Sequence, residues 1–540
     1  MEKENLNKKL YSKNFTKYGF DLNVFVSLVS AILVLGFIIF TISMPDQSSK
    51  IFSNINDSLN KNFNWLFVLT INLSFVFLIV TGLSKLGNIR LGGFKARPEY
   101  SNFSWYAMLF SAGIGIGIFF YGVAEPIYHM NIPEPLRTNS KFDNFKIMYI
   151  HWGAHAWAIY ALVAIGLGYF AYNKKLPFSF RSLFYPLIKD KIYGIIGDII
   201  DTIAVLSVLF GLSASLGLGA QQINSGLNYV FGIPVNSTIQ IILIVVITFI
   251  ATLSVVSGIS KGIKLLSQAN TIISGVFLAA ILLIGPTGYI LSTYFSSTGL
   301  YLKEFLNTGL YVATTPEDVA WQGSWTIFYW AWWISWTPFV GIFIARISKG
   351  RTIREIAIGT VVIPTVIITF VMTILGASGI YLNDLHEGII AEAIDNNIAT
   401  AMFEMIHYLV DSPITRNILS CVAIVAIALF FVTSSDSGSL VVDNLTSGGK
   451  EDSPKPQRIF WALMEGLIAL SVLLLGGEHA LKTTQSAVII TALPFSLLLI
   501  IMMYSLKKEL QKSYKKYEYN KIIKLKRKMN NIDDEAKYKI

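Results

Sequence analysis

Apolar residues in this chain come in separate blocks of 18 or more, for example 24–43, 63–83 and 237–256. Each is long enough to cross a hydrocarbon core about 30 Å thick as a helix. A dozen such blocks predict an all-α polytopic membrane protein with spans near 24–43, 63–83, 104–124, 146–171, 194–219, 237–256, 270–292, 325–346, 358–380, 417–440, 459–476 and 484–504. Composition agrees, because the chain is 14% charged where a soluble domain carries about 25%. The first block follows a polar, lysine-rich stretch and lacks a small-residue cleavage pattern, so it reads as a retained helix.

Basic residues set the orientation. With the N-terminus inside, the inside segments hold 35 of the 43 Lys and Arg, which predicts cytoplasmic termini and an even number of spans. The organisation is then an N-terminal tail over 1–20, a twelve-helix membrane domain over 21–504 and a basic tail over 505–540. The two tails carry the whole net charge of +10. The C-terminal run from Lys507 to Lys528 reads either as a solvated tail or as a basic helix that senses anionic lipid. The single cysteine, Cys421, excludes an intrachain disulfide and a cysteine metal cluster. No nucleotide-binding loop is present, which argues against primary active transport by this chain alone. The outside segments 293–324 and 381–416 are long, and Leu300 to Val312 has the periodicity of an interfacial helix.

Two spans are irregular. The third holds Gly113, Gly115 and Gly117 within five residues, and the eighth ends in Trp336, Thr337 and Pro338. Five spans separate them, which predicts two inverted five-helix repeats, spans 3–7 and 8–12, preceded by two extra helices.

Four constellations carry candidate chemistry. Alternate glycines in the run from Ser111 to Gly117 cost helix stability, roughly 1 kcal/mol each. They serve either close helix packing or an unwound backbone whose carbonyls hold a hard cation. In the fourth span Trp152, Trp157 and Tyr160 fall within an arc of roughly 140° on a regular helix; an interfacial aromatic belt is the plainer account. The third constellation is denser. Five of the eleven Trp, namely Trp325, Trp330, Trp332, Trp333 and Trp336, lie within twelve residues, through a span that must pass the bilayer midplane. Aromatic faces attract a permanent cation that donates no hydrogen bond, with about 2 kcal/mol or more each when desolvated. Finally, Thr433 and Ser434 near the tenth span's inner end either bond back to their own helix or offer oxygens to an ion, and Asp436 beside them is an intramembrane acid.

The stretch Trp325 to Trp336 with Thr337, Pro338, Phe339, Val340 and Gly341 resembles the signature of the betaine/carnitine/choline transporter family, and Thr433 to Asn444 is a second match. The resemblance implies a homotrimer of inverted repeats, with Trp152, Trp157, Tyr160 and Trp333 as an aromatic cage and Trp332 and Trp336 beside it. It places the substrate against Gly113, Gly115 and Gly117. It further implies a sodium site at the carbonyls of Ser111, Ile114 and Phe430 and the hydroxyls of Thr433 and Ser434, with a looser second site near Ser213. Proton-coupled choline members are expected to carry an Asp where this chain has Gly117, and exchangers a fixed positive side chain, yet no Arg lies between Ser182 and Ala345. Ile114 stands where betaine symporters often have Met, so the methylated solute is left open.

The resulting expectation is a sodium-coupled symporter in the cell membrane that takes up glycine betaine or a related quaternary-ammonium solute under osmotic stress, without a bound cofactor or nucleic-acid partner. The alternatives are proton-coupled choline uptake, carnitine exchange, a channel or facilitator, and an intramembrane metal enzyme built on His151, His155 and Glu125.

Overall fold

A computed structural model describes residues 7–537 except Lys9, Ile114 and positions 258–261, 451–453 and 476; side chains at 110–113, 257, 262–265, 477–479, 481, 516, 517 and 519–537 are also outside the description. The described residues are almost entirely helical, with two isolated bridges, Phe15 to Leu22 and Arg90 to Thr352, as the β content. The helices that build the bundle and the site, among the described residues, are α1 (Val24–Ser43), α2 (Pro45–Leu83), α3 (Asn102–Gly113), α4 (Ile116–Tyr121), α5 (Ala124–Tyr128), α6 (Asp143–Trp152), α7 (Ala154–Gly168), α8 (Ile195–Phe231), α9 (Ser237–Ser257), α10 (Gly262–Ile284), α11 (Thr287–Lys303), α12 (Phe328–Ile347), α13 (Ile353–Leu385), α14 (Pro413–Thr446), α15 (Lys455–Leu473) and α16 (Gly477–Lys537); short helices such as Ile389–Asn396 and Ala401–Leu409 lie in the connections.

Local chemistry explains where several of them start and stop. The side chain of Asn23 accepts the Val26 amide at 3.0 Å and opens α1. Thr352 and Glu355 form a reciprocal capping box at α13. Gly232, at φ +67°, closes α8. Outward faces are apolar: Leu28, Ile32 and Ile39 on α1 and Val245, Phe249 and Leu253 on α9 are exposed, as a lipid-facing surface requires.

Ten helical stretches among the described residues are long and apolar enough to cross a membrane, and the protein is an all-α polytopic membrane protein. The third and eleventh expected spans fall outside this set. The third is cut into helices of 12, 6 and 5 residues, and α15 carries Lys455, Arg458 and Glu465. The stretch Leu300 to Val312, expected as one interfacial helix, holds the end of a helix over Thr287–Lys303 and, after a break at Glu304, a short helix over Phe305–Gly309.

The two repeats are legible in the packing. α8 lies against α16 as α14 lies against α10, and α8 meets α15 as α14 meets α9. The neighbours α8 and α9 correspond to α14 and α15, while the pairs α8 with α14 and α9 with α15 sit at the centre of the exchange.

Ahead of α8, the Arg181 side chain is fully buried. Its Nε donates to Asp201 at 2.6 Å and its Nη2 to Asp198 at 2.9 Å. Asp201 also accepts the Arg181 amide at 3.0 Å and the Ser179 hydroxyl. Burial works against the guanidinium charge, but Asp201 and Asp198 outweigh it and push the Arg181 pKa up. This cluster ties the segment before α8 to its first turns.

Candidate functional site

The tryptophans of the eighth span meet the fourth span at a helix break. Between α6 and α7, Gly153 adopts φ −89° and ψ −137°, off the helical path. Helix ends leave carbonyls and amides to be satisfied from elsewhere. The His151 carbonyl accepts the Trp333 indole N–H at 2.7 Å, and the Ala154 amide donates to the Tyr301 hydroxyl at 3.2 Å. The continuous helix expected here is therefore two helices, and the assumed single arc for Trp152, Trp157 and Tyr160 does not hold. A side chain on Gly153 would lie 2.9 Å from the Tyr301 oxygen, so the break needs glycine for room.

Four expected residues come together. Trp332 and Trp333 stack with centroids 5.1 Å apart and planes within 10°. Trp152 meets Trp333 edge-on at 4.9 Å. Trp336 stands near perpendicular to Trp332 and Trp333, at 6.1 and 6.4 Å. Trp157 and Tyr160 form a separate edge-on pair at 5.8 Å further along α7. All six are buried.

The glycine run supplies the opposite wall. A Cβ on Gly117 would lie 2.8 Å from Trp152 and 3.0 Å from Trp332, and one on Gly115 would lie 3.1 Å from Trp336. Close approach is thus what these two positions require. Gly113 ends α3, and its surroundings lie outside the described residues. Gly117→Ala is expected to leave folding intact, since alanine favours helix, while displacing two indoles and weakening substrate affinity about tenfold or more. Concentration-dependent uptake beside thermal unfolding checks both halves.

One acid organises the cluster from behind. Glu125 Oε2 accepts the Trp152 indole at 2.6 Å and the Tyr329 hydroxyl at 2.8 Å. Its Oε1 lies 2.7 Å from His151 Nδ1 and 3.3 Å from His129 Nε2, and His151 Nε2 is 3.0 Å from the Thr326 hydroxyl. The sequence suggested His151 and His155 as a pair. The break at Gly153 separates them, so that His155 stacks on Phe305 and faces Asn72 at 3.2 Å. Glu125, His129 and His151 present ligand atoms within 4.8 Å of one another. Two ligands on one tetrahedral zinc ion sit about 3.3 Å apart, so the direct 2.7 Å contact describes a hydrogen bond and fits a metal poorly. Tyr329 and His129 were not singled out by sequence, and neither was Gly211, whose carbonyl takes the Trp332 indole at 3.1 Å.

The expected ion ligands are only partly described. Ser111's side chain and Ile114 lie outside the described residues. Phe430 packs on Phe119 of α4 at 5.6 Å, which brings the tenth span against the third. The Thr433 hydroxyl bonds back to the carbonyls of Leu429 and Phe430, at 2.9 and 3.3 Å, and Ser434 is buried beside it. The Phe430 carbonyl and the Thr433 hydroxyl are therefore neighbours on this side. Ser213 instead donates to the carbonyls of Leu209 and Glu465, at 2.7 and 3.0 Å, and Asp436 accepts the Ser254 hydroxyl.

Against known proteins, the sequence matches the BCCT description, betaine/carnitine/choline family transporter, over residues 25–515. The chain belongs to this family. It is 39% identical over 516 residues to the glycine betaine/proline/choline transporter of Vibrio parahaemolyticus, covering 91% of each chain. It is 42% identical to the glycine betaine transporter of Acinetobacter baylyi, covering 91% of this chain and 73% of that one. Glycine betaine transporter 1 of Vibrio parahaemolyticus is 41% identical, with 91% and 94% covered. As a member of the betaine/carnitine/choline family, the protein is a multi-pass transporter for quaternary-ammonium solutes and not an enzyme, and the tryptophan cluster is its candidate solute site.

Proposed function

We propose that the protein takes up glycine betaine or a related quaternary-ammonium compatible solute by sodium symport across the cell membrane, in the response to osmotic stress. The observation that carries this reading is the buried set Trp152, Trp332, Trp333 and Trp336 closing on Gly115 and Gly117. A trimethylammonium group has no hydrogen-bond donor and gains most from such π faces. Three of the four indole N–H groups are committed to Glu125, Gly211 and His151, which fixes ring orientation. To admit a solute the stacked rings must separate, so access is gated by the helices that carry them.

Sodium would be held where the tenth span meets the third, by the carbonyls of Ser111, Ile114 and Phe430 and the hydroxyls of Thr433 and Ser434. Gly117, where a proton-coupled choline carrier is expected to hold an acid, favours sodium. A homotrimer with cytoplasmic termini, and a basic C-terminal helix lying against anionic lipid, complete the proposal. The experiment is uptake of labelled glycine betaine into proteoliposomes. An inward sodium gradient is expected to drive accumulation at least tenfold above that with potassium on both sides. Equal uptake in the two conditions ends the symport reading, and uptake that merely equilibrates makes the protein a facilitator.

A further inference from the structure

We infer that Glu125 is a specificity-determining residue whose carboxylate, seated behind Trp152, biases the aromatic cluster toward solutes with net positive charge. The inference rests on the reading of that cluster as the quaternary-ammonium site.

Glu125 is completely buried at the start of α5. The Trp152 indole can only donate, and it points at Oε2. The Tyr329 hydroxyl takes the same oxygen. The other oxygen faces His151 Nδ1 and His129 Nε2. Both carboxyl oxygens thus serve as acceptors in a fixed position, the role of a carboxylate. No Lys or Arg among the described residues lies within ion-pair distance of it.

Two effects follow at the ring. A hydrogen bond from an indole to an anion is charge-assisted, and electron density pushed into the indole makes its face more attractive to a cation. The negative charge itself also acts through a dry, poorly screened interior. For choline, with net charge +1, both effects are pure gain. Glycine betaine carries a carboxylate as well, which the same charge repels, so part of its gain is cancelled. Glu125 therefore acts on discrimination between cation and zwitterion more than on binding as such.

Glu125→Gln separates charge from geometry, because the amide oxygen still accepts from Trp152 and Tyr329. Wild type and variants in proteoliposomes are assayed for labelled glycine betaine uptake in competition with unlabelled choline and unlabelled glycine betaine. In Glu125→Gln, the half-inhibiting concentration of choline is expected to rise at least about tenfold relative to that of glycine betaine. In Glu125→Asp, which keeps the charge, the ratio is expected to stay near wild type even where both solutes bind more weakly.

A Gln variant with the wild-type ratio overturns the inference, and so does a changed ratio in the Asp variant, which decides the matter alone if the Gln variant does not fold. A wild type that takes glycine betaine and is not inhibited by choline also overturns it. A wild type that responds to neither solute defeats the quaternary-ammonium reading instead.

Discussion

Trp333→Leu is expected to raise the half-saturating concentration for glycine betaine by about 30-fold or more. Of the four indoles Trp333 is the one that meets the other three, stacked on Trp332, edge-on to Trp152 and near perpendicular to Trp336. Leucine keeps much of the volume and all of the hydrophobicity but has no π face. It also leaves the His151 carbonyl without its indole donor, which loosens the break at Gly153 where the fourth span turns. The first loss falls on binding and the second on local stability: the variant should still purify folded, with a lower unfolding midpoint, while uptake shifts to higher solute concentration. Unchanged affinity would remove Trp333 from the site and shift attention to Trp157 and Tyr160, which the structure sets apart.

The largest loss of stability is expected at Arg181, outside the tryptophan cluster. Its guanidinium is buried between Asp198 and Asp201 and also reaches the Ile192 carbonyl at 3.3 Å. Truncating it strands two acids, one of them fully buried, and breaking a buried pair costs about 3–5 kcal/mol. Arg181→Ala should lower the thermal unfolding midpoint in detergent and reduce the yield of folded protein. Arg181→Lys should recover little, because one ammonium cannot reproduce a fork that contacts both carboxylates. Adding Asp201→Asn to Arg181→Ala removes the stranded charge and should recover part of the loss. A midpoint unchanged in Arg181→Ala would mean that water reaches the cluster.

Sequence carried the membrane class and the aromatic cluster for the same reason: both are matters of local density. Five Trp in twelve residues exceed what an interfacial belt needs, and the fold places three of them, Trp332, Trp333 and Trp336, in one cluster. Spans were harder to bound, since polar residues continue a helix beyond lipid. α2 starts at Pro45 although its apolar block starts near Phe63. The break at Gly153 was not legible. A lone glycine inside a helical pattern costs only about 1 kcal/mol, and nothing nearby announces that the Tyr301 hydroxyl lies against it. That one break misdirected the histidines, because spacing of four places His151 and His155 on one face only if the helix is continuous. Glu125 illustrates the other limit. Its partner His129 stands four residues on at the end of the same short helix, but His151, Trp152 and Tyr329 come from two distant stretches that no spacing rule joins to it.

The crowding of indoles also gives the protein a built-in optical reporter. Trp332, Trp333 and Trp336 lie with centroids 5.1 to 6.4 Å apart, one pair nearly parallel and two nearly perpendicular, close enough for their excited states to mix. Ultraviolet circular dichroism is sensitive to the mutual orientation of such coupled chromophores. Any parting of the rings to admit a solute therefore changes the spectrum of the unlabelled protein, so the opening of the cluster can be timed directly and compared with the rate of uptake.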